Sequence, residues 1–218
     1  MHVHVENTGQ VRLTQELGQW ISRYAADERF TRYLEIGTWN GRGSTCCFYD
    51  GFTKRTAPYS LQSYEISSER FQEAHALWQT VPSIQILHGR VLQDHECPLI
   101  ETVRSMFPRM TSAWHAEDIT NFWSTPYIPP NSPEVVLLDG AEYLTHFEFE
   151  SMKSMESIRV FLLDDTRVDK CRSVCAYLDS HPAWRCVAKG NDRHGWAVFE
   201  RISSSSEQIP ETPARPEQ

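Results

Sequence analysis

Acidic residues recur in this chain at the ends of short apolar runs, and the first of those runs leads into three glycines. In Tyr33-Leu-Glu-Ile-Gly-Thr-Trp-Asn-Gly-Arg-Gly-Ser-Thr45, Glu35 sits inside the apolar stretch, and Gly37, Gly41 and Gly43 follow it. Apolar residues resume at Cys46, Cys47 and Phe48. That order is what a strand, a backbone turn and a helix start would write. Glycine admits positive φ and lets a ligand approach the main chain, and a helix start presents unpaired N–H groups. The same junction also serves as a plain packing solution, so its companions decide the chemistry. A second apolar run ends in Glu65, another in Asp139 and another in Asp164-Asp165, while a further one runs into Gly89-Arg90. Glu65 suits the paired hydroxyls of a ribose. The spacing Gly-x-x-x-Gly-x-Gly does not match the Gly-x-Gly-x-x-Gly of a nicotinamide site, and a phosphate-cradling Gly-Lys-Ser/Thr is missing. A ribose-bearing cofactor without phosphates fits best.

The elements that must position these residues follow from periodicity. Leu13, Leu17, Trp20, Ile21 and Tyr24 recur at helical spacing and predict an amphipathic helix over 11–24. Strands are expected at 33–36, 60–66, 83–88, 134–139 and 158–165, with helices from about Ser44, over 68–79, over 98–107, through Phe147 and Met152, and over 168–180. Segments 184–188 and 195–200 read as a closing hairpin. Strands alternating with helices, the strands nearly all apolar, mean a doubly wound α/β sheet, mostly parallel and covered on both faces. In such sheets ligands bind beyond the carboxyl ends of the strands, where all the acids above fall. Residues 1–9 read as a flexible tail, 10–202 as one domain and 203–218 as a disordered tail.

Composition bounds the partners. The 218 residues carry 21 basic against 29 acidic side chains, a net charge of −8. This argues against nucleic acid, whose phosphate backbone needs basic surface, and favours a small-molecule substrate. The six cysteines form no Cys-x-x-Cys pair, and no apolar signal or membrane-spanning run is evident. A reduced, cytoplasmic protein without membrane partners is expected; a homodimer is left open.

Glu35-Ile-Gly-Thr-Trp-Asn-Gly-Arg-Gly-Ser44 resembles motif I of class I S-adenosylmethionine-dependent methyltransferases, in the form found in the small-molecule O-methyltransferase-like group. The resemblance continues through Tyr64-Glu65, His88-Gly89, Leu138-Asp139-Gly140, Leu163-Asp164-Asp165-Thr166 and His194-Gly195-Trp-Ala-Val-Phe-Glu200, from about Tyr33 to Arg201. It implies a Rossmann-like fold with a C-terminal antiparallel strand. It also implies that Glu35, Gly37, Thr38, Gly41 and Ser44 surround the amino-acid end of S-adenosylmethionine, that Glu65 holds its ribose, and that Gly89 and Arg90 lie near its adenine. Asp139 either contacts the cofactor or, as in catechol-type relatives, joins Asp165 and Thr166 around a divalent metal such as magnesium. The chain departs from the family at Gly43, an extra residue; at Ser154-Met-Glu-Ser157, where many members carry Gly-Gly; and at Glu142, near where relatives often carry His.

Methyl transfer to a hydroxyl needs alignment and removal of a proton. Asp139, Glu142 and His146 are the catalytic candidates; without a metal Glu142 or His146 is the base, Glu142 first. The stretch 108–133, rich in aromatics and proline, is long for a connection and is expected to be a lid over the site. The altered positions keep a second reading open, a catalytically inactive protein of this fold that binds the cofactor or a protein partner.

Overall fold

A computed structural model describes residues 5–108 and 113–202. Seven strands form one sheet in the order β3-β2-β1-β4-β5-β7-β6. They are β1 Arg32–Ile36, β2 Ser60–Glu65, β3 Ile84–His88, β4 Val135–Leu138, β5 Val160–Asp164, β6 Trp184–Gly190 and β7 Trp196–Arg201. The first five run parallel, and β7 pairs antiparallel with both β5 and β6. The helices are α1 Glu16–Ala26, α2 Ser44–Phe52, α3 Ser68–Trp78, α4 Ile100–Met106, α5 Ala113–Ser124, α6 Thr145–Met152 and α7 Arg172–Ser180. The Rossmann-like sheet expected from the alternation of elements is therefore present. No helix among the described residues is long and apolar enough to cross a membrane.

Burial explains the uninterrupted apolar strands. Every residue of β4 and β5 is buried, because helices cover both sheet faces and leave no polar side to write into the sequence. Successive side chains alternate between two cores. Tyr33, Leu137 and Leu162 pack with Leu17 and Ile21 of α1, Phe48 of α2 and Trp78 of α3. Leu34, Leu138 and Leu163 pack with Phe149 and Met152 of α6 and Val174 and Leu178 of α7. A third, smaller cluster joins Val103 of α4 and Phe122 of α5 to Tyr143 and Leu144.

Three expectations change. Helix α1 begins at Glu16 rather than Val11, because side chains hold the preceding residues in a strap across the glycine turn. Asn7 Nδ2 donates to the carbonyls of Arg42 and Gly43 at 2.9 and 3.0 Å, and its Oδ1 accepts from the Leu13 amide at 2.8 Å. Residues 5–9 are thus tied to the domain, not part of a loose tail; residues 1–4 and the expected tail 203–218 lie outside the described residues. Helix α7 begins at Arg172 rather than Val168, which leaves 165–171 irregular. The expected lid contains a helix, α5, anchored by buried Ile119 and Phe122, and Arg90 and Tyr127 form a parallel bridge beside it.

Leu137 is fully buried at the centre of the sheet, so Leu137→Ala should cost about 2–5 kcal/mol of stability. Urea unfolding measures this, and a loss under about 1 kcal/mol would contradict the packing described.

Candidate functional site

The strand order reverses around β1 and β4, and the site lies beyond their carboxyl ends, where such sheets open a crevice. Gly37 leaves β1 at φ 93°, and a Cβ there would meet the carbonyl oxygen of Asp139 at 2.1 Å. Only glycine lets the two strand ends pass this closely. The amides of Gly37 and Thr38 both donate to the Tyr64 carbonyl, at 3.0 and 3.1 Å. Trp39 follows at φ 51°, a conformation rare for a bulky residue and one that a functional constraint can impose. Its amide donates to Glu65 Oε2 at 2.7 Å, and the Ser67 amide donates to Glu65 Oε1 at 2.8 Å.

Glu35 holds this turn together from behind. It is 0% exposed and accepts from Ser44 Oγ and Ser63 Oγ at 2.5 Å each and from Thr45 Oγ1 at 2.8 Å. One carboxylate thereby joins β1, β2 and the start of α2. Burial pushes its pKa up to about 7, against the hydroxyl bonds that favour the charged form. Burial likewise raises Glu65 to about 7, opposed by its two backbone N–H bonds.

A cavity of about 250 Å³ opens over the turn, and Gly37, Thr38, Ser44, Glu65, Gly89, Asp139 and Glu142 are among its walls. These seven expected residues are brought together. Glu35 is behind the wall, as described. Gly41 packs instead: its carbonyl accepts from Trp78 Nε1 at 2.9 Å, and at φ 73° a Cβ would come within 2.8 Å of that nitrogen. The buried Arg90 guanidinium turns away from the cavity to donate to the carbonyls of Thr125 and Leu92 and to pair with Asp94 at 2.5 Å. It pins the loop after β3 to the end of α5. His146 faces α7, its Nδ1 3.1 Å from Ser173 Oγ, and burial lowers its pKa. The Thr166 amide donates to the Gly195 carbonyl at 3.0 Å, and neither Thr166 nor Asp165 reaches the cavity wall.

Among the wall residues that were not expected, two bear on the chemistry. Glu148, 3% exposed, lies on the α6 face with Thr145 and Met152, and its Oε2 has no hydrogen-bond partner. Burial raises its pKa to about 8. Its sequence signal was an acid spaced three residues from Thr145 and four from Met152, inside an apolar stripe. The other is Lys170. Its Nζ stands 2.9 Å from both Asp139 Oδ1 and Asp165 Oδ2. Burial opposes its charge, yet the two carboxylates hold its pKa above the usual lysine value. The irregular segment 165–171, opened by Asp165 at φ 57°, carries Lys170 back over the strand ends; a helix from Val168 would have hidden this.

Of the residues expected to hold a metal, Asp139 and Asp165 come together, joined by Asp164 rather than by Thr166, and all three carboxylates are paired with cations. Asp139, Asp164 and Asp165 offer oxygens that all lie within 4.8 Å of one another. Lys170 bonds two of these carboxylates, and Arg193 bonds the third at 2.7 Å through Asp164 Oδ2. A divalent ion among the same oxygens would face an ammonium at bonding distance, a repulsion that a buried site does not screen. The residues as arranged do not fit the metal expected on Asp139, Asp165 and Thr166.

No family model and no curated protein matches this sequence. Solved structures do match its fold. A methyltransferase from Podospora anserina, solved with SAH bound, is 13% identical, with 89% of this chain and 80% of that one covered and a TM-score of 0.55. An O-methyltransferase from Bacillus cereus, in complex with SAH, is 13% identical over 90% of this chain and 85% of that one, with a TM-score of 0.55. A methyltransferase from Geobacter sulfurreducens is 9% identical over 87% and 80%, with a TM-score of 0.52. The chain has the fold of these class I methyltransferases, as the resemblance of its glycine turn implied.

Glu35, Glu65 and Glu148 titrate well above the ordinary glutamate value of 4.5, at about 7, 7 and 8. The folded chain therefore holds more protons than the unfolded chain in that interval. The stability these groups contribute is complete below 4.5 and is lost as pH rises through 7 to 8. Melting temperature should fall from about pH 5 to about pH 8, and Glu148→Gln, neutral throughout, should flatten that fall. An unchanged or steeper fall in the variant contradicts the burial of Glu148.

Proposed function

We propose that this protein transfers a methyl group from S-adenosylmethionine to a small-molecule acceptor, at oxygen. The observation that carries the reading is Glu65, a carboxylate at the end of β2 fixed by the Trp39 and Ser67 amides at 2.7 and 2.8 Å on the wall of the cavity. Two oxygens so fixed suit the paired hydroxyls of a ribose. The SAH bound to the Podospora and Bacillus proteins of the same fold supports this reading.

In the proposed complex, Gly37, Thr38 and Ser44 take the amino-acid end of the cofactor and Gly89 borders the adenine. The walls carry Glu65, Asp118, Asp139, Glu142 and Glu148 against Lys170 as the cation among the described residues. Such acidity favours a sulfonium, and a positive ligand would in turn favour the charged carboxylates whose pKa burial has raised. A lone pair on the acceptor oxygen attacks the methyl carbon, the carbon–sulfur bond breaks in line, and its electrons leave on sulfur as SAH. The proton of the acceptor passes to a cavity carboxylate. Glu142 and Glu148 both face the cavity, and the pKa of about 8 puts Glu148 near the range where a general base works best. Helix α5 of the expected lid, through Asp118 on the cavity wall, forms the acceptor side and sets substrate choice; residues 109–112 of that lid lie outside the described residues.

Calorimetric titration tests the cofactor. Wild type should bind both S-adenosylmethionine and SAH, and Glu65→Ala should weaken both by about 1.5–3 kcal/mol, the value of hydrogen bonds to a charged group. Absence of binding by wild type, or equal binding by the variant, contradicts the reading.

A further inference from the structure

We propose that Lys170 is the built-in cation of this site, occupying the position of a divalent metal, so that the reaction runs without one. The inference rests on the methyltransferase reading for its chemistry and on local geometry for its substance. Three carboxylates whose oxygens lie within 4.8 Å of one another form a cation site. Here the cation is an ammonium 2.9 Å from Asp139 Oδ1 and 2.9 Å from Asp165 Oδ2, with Arg193 closing the far side on Asp164 at 2.7 Å. The site is built to keep it. Asp165 adopts φ 57° and Arg193 φ 55°, turns that bring one cation from each flank, and Lys170 is only 12% exposed.

The replacement narrows the acceptor. A divalent ion has several open positions and can chelate two adjacent hydroxyls. An ammonium has three N–H groups; two are committed to Asp139 and Asp165, which leaves one toward the cavity that Lys170 lines. One N–H holds one oxygen. The acceptor class is a molecule presenting a single acidic hydroxyl or carboxyl, whose developing anion the ammonium stabilises as the proton leaves, rather than a chelating vicinal diol.

The test is a manganese titration followed by electron paramagnetic resonance, on wild type and Lys170→Ala. Wild type should show no site at submillimolar metal. Lys170→Ala frees the carboxylates, including Asp165 Oδ1, which is buried without a hydrogen bond, and should bind manganese at least about tenfold more tightly than wild type, as oxygen donors released from a competing cation do. A submillimolar manganese site in wild type overturns the proposal, and so does a variant that folds without gaining one. If the variant does not fold, the wild-type titration decides alone, joined by a spectral probe. With 4-nitrocatechol, SAH and wild type, added magnesium should leave the absorption spectrum unchanged; a magnesium-dependent catecholate band overturns the proposal. SAH binding by the same wild-type sample, measured in chelator, separates failure of this inference from failure of the cofactor reading.

Discussion

Carboxylates crowded at the ends of β4 and β5 impose the main constraint on this protein. Like charges within a few ångströms cannot share a buried site unless they take up protons or cations. The chain supplies cations. Asp164 is pushed to about 7 by burial and by its two aspartate neighbours, and Lys170 and Arg193 supply the cations. Much of the local architecture serves that compensation. The irregular segment before α7 delivers Lys170, and the turn between β6 and β7 delivers Arg193. The C-terminal hairpin is therefore part of the site as well as an edge of the sheet. Arg193 also bonds Gln10 at 2.7 Å, which brings the N-terminal strap into the same network.

The other half of the site depends on carboxylates that stay without cations. Glu35 is solvated by three hydroxyls, and it fixes the turn whose backbone then aims at the cavity. Glu65 is held by two backbone amides and keeps a face to the cavity. Glu148 Oε2 has no hydrogen-bond partner among the described residues. A site that leaves acids poorly compensated suits a ligand that brings positive charge, because the ligand then gains what solvent cannot supply. The strain at Trp39, φ 51°, falls at the residue whose amide holds Glu65, on the wall of the same cavity.

Much of this was legible in the sequence because it is written in local pattern. The apolar runs of β4 and β5 and the glycines after β1 follow from two-sided burial and from the contact between Gly37 and Asp139, and both leave a residue-by-residue mark. Acids at strand ends pointed to the end of the sheet where the cavity opens. What could not be read was the destination of long side chains. Arg90 is adjacent to a cavity glycine yet turns beneath α5, and His146 follows a cavity wall in sequence yet faces α7. Lys170 is hidden in the sequence because helical periodicity extends α7 backward over it, whereas the helix starts at Arg172, after an irregular segment that opens with Asp165 at φ 57°. The strap of residues 5–14 was hidden for a similar reason, since Asn7 competes for backbone groups that periodicity assigns to a helix.

The central claim is that one cavity, between the glycine turn and the aspartate–lysine cluster, holds S-adenosylmethionine with its ribose on Glu65 and its reacting end toward Lys170. A crystal structure of the protein with SAH tests it most directly. Density is expected for the ribose hydroxyls at the Glu65 carboxylate and for the sulfur on the Asp139 side, with Lys170 still bonded to Asp139 and Asp165. SAH bound elsewhere, or a ribose out of reach of Glu65, would contradict it.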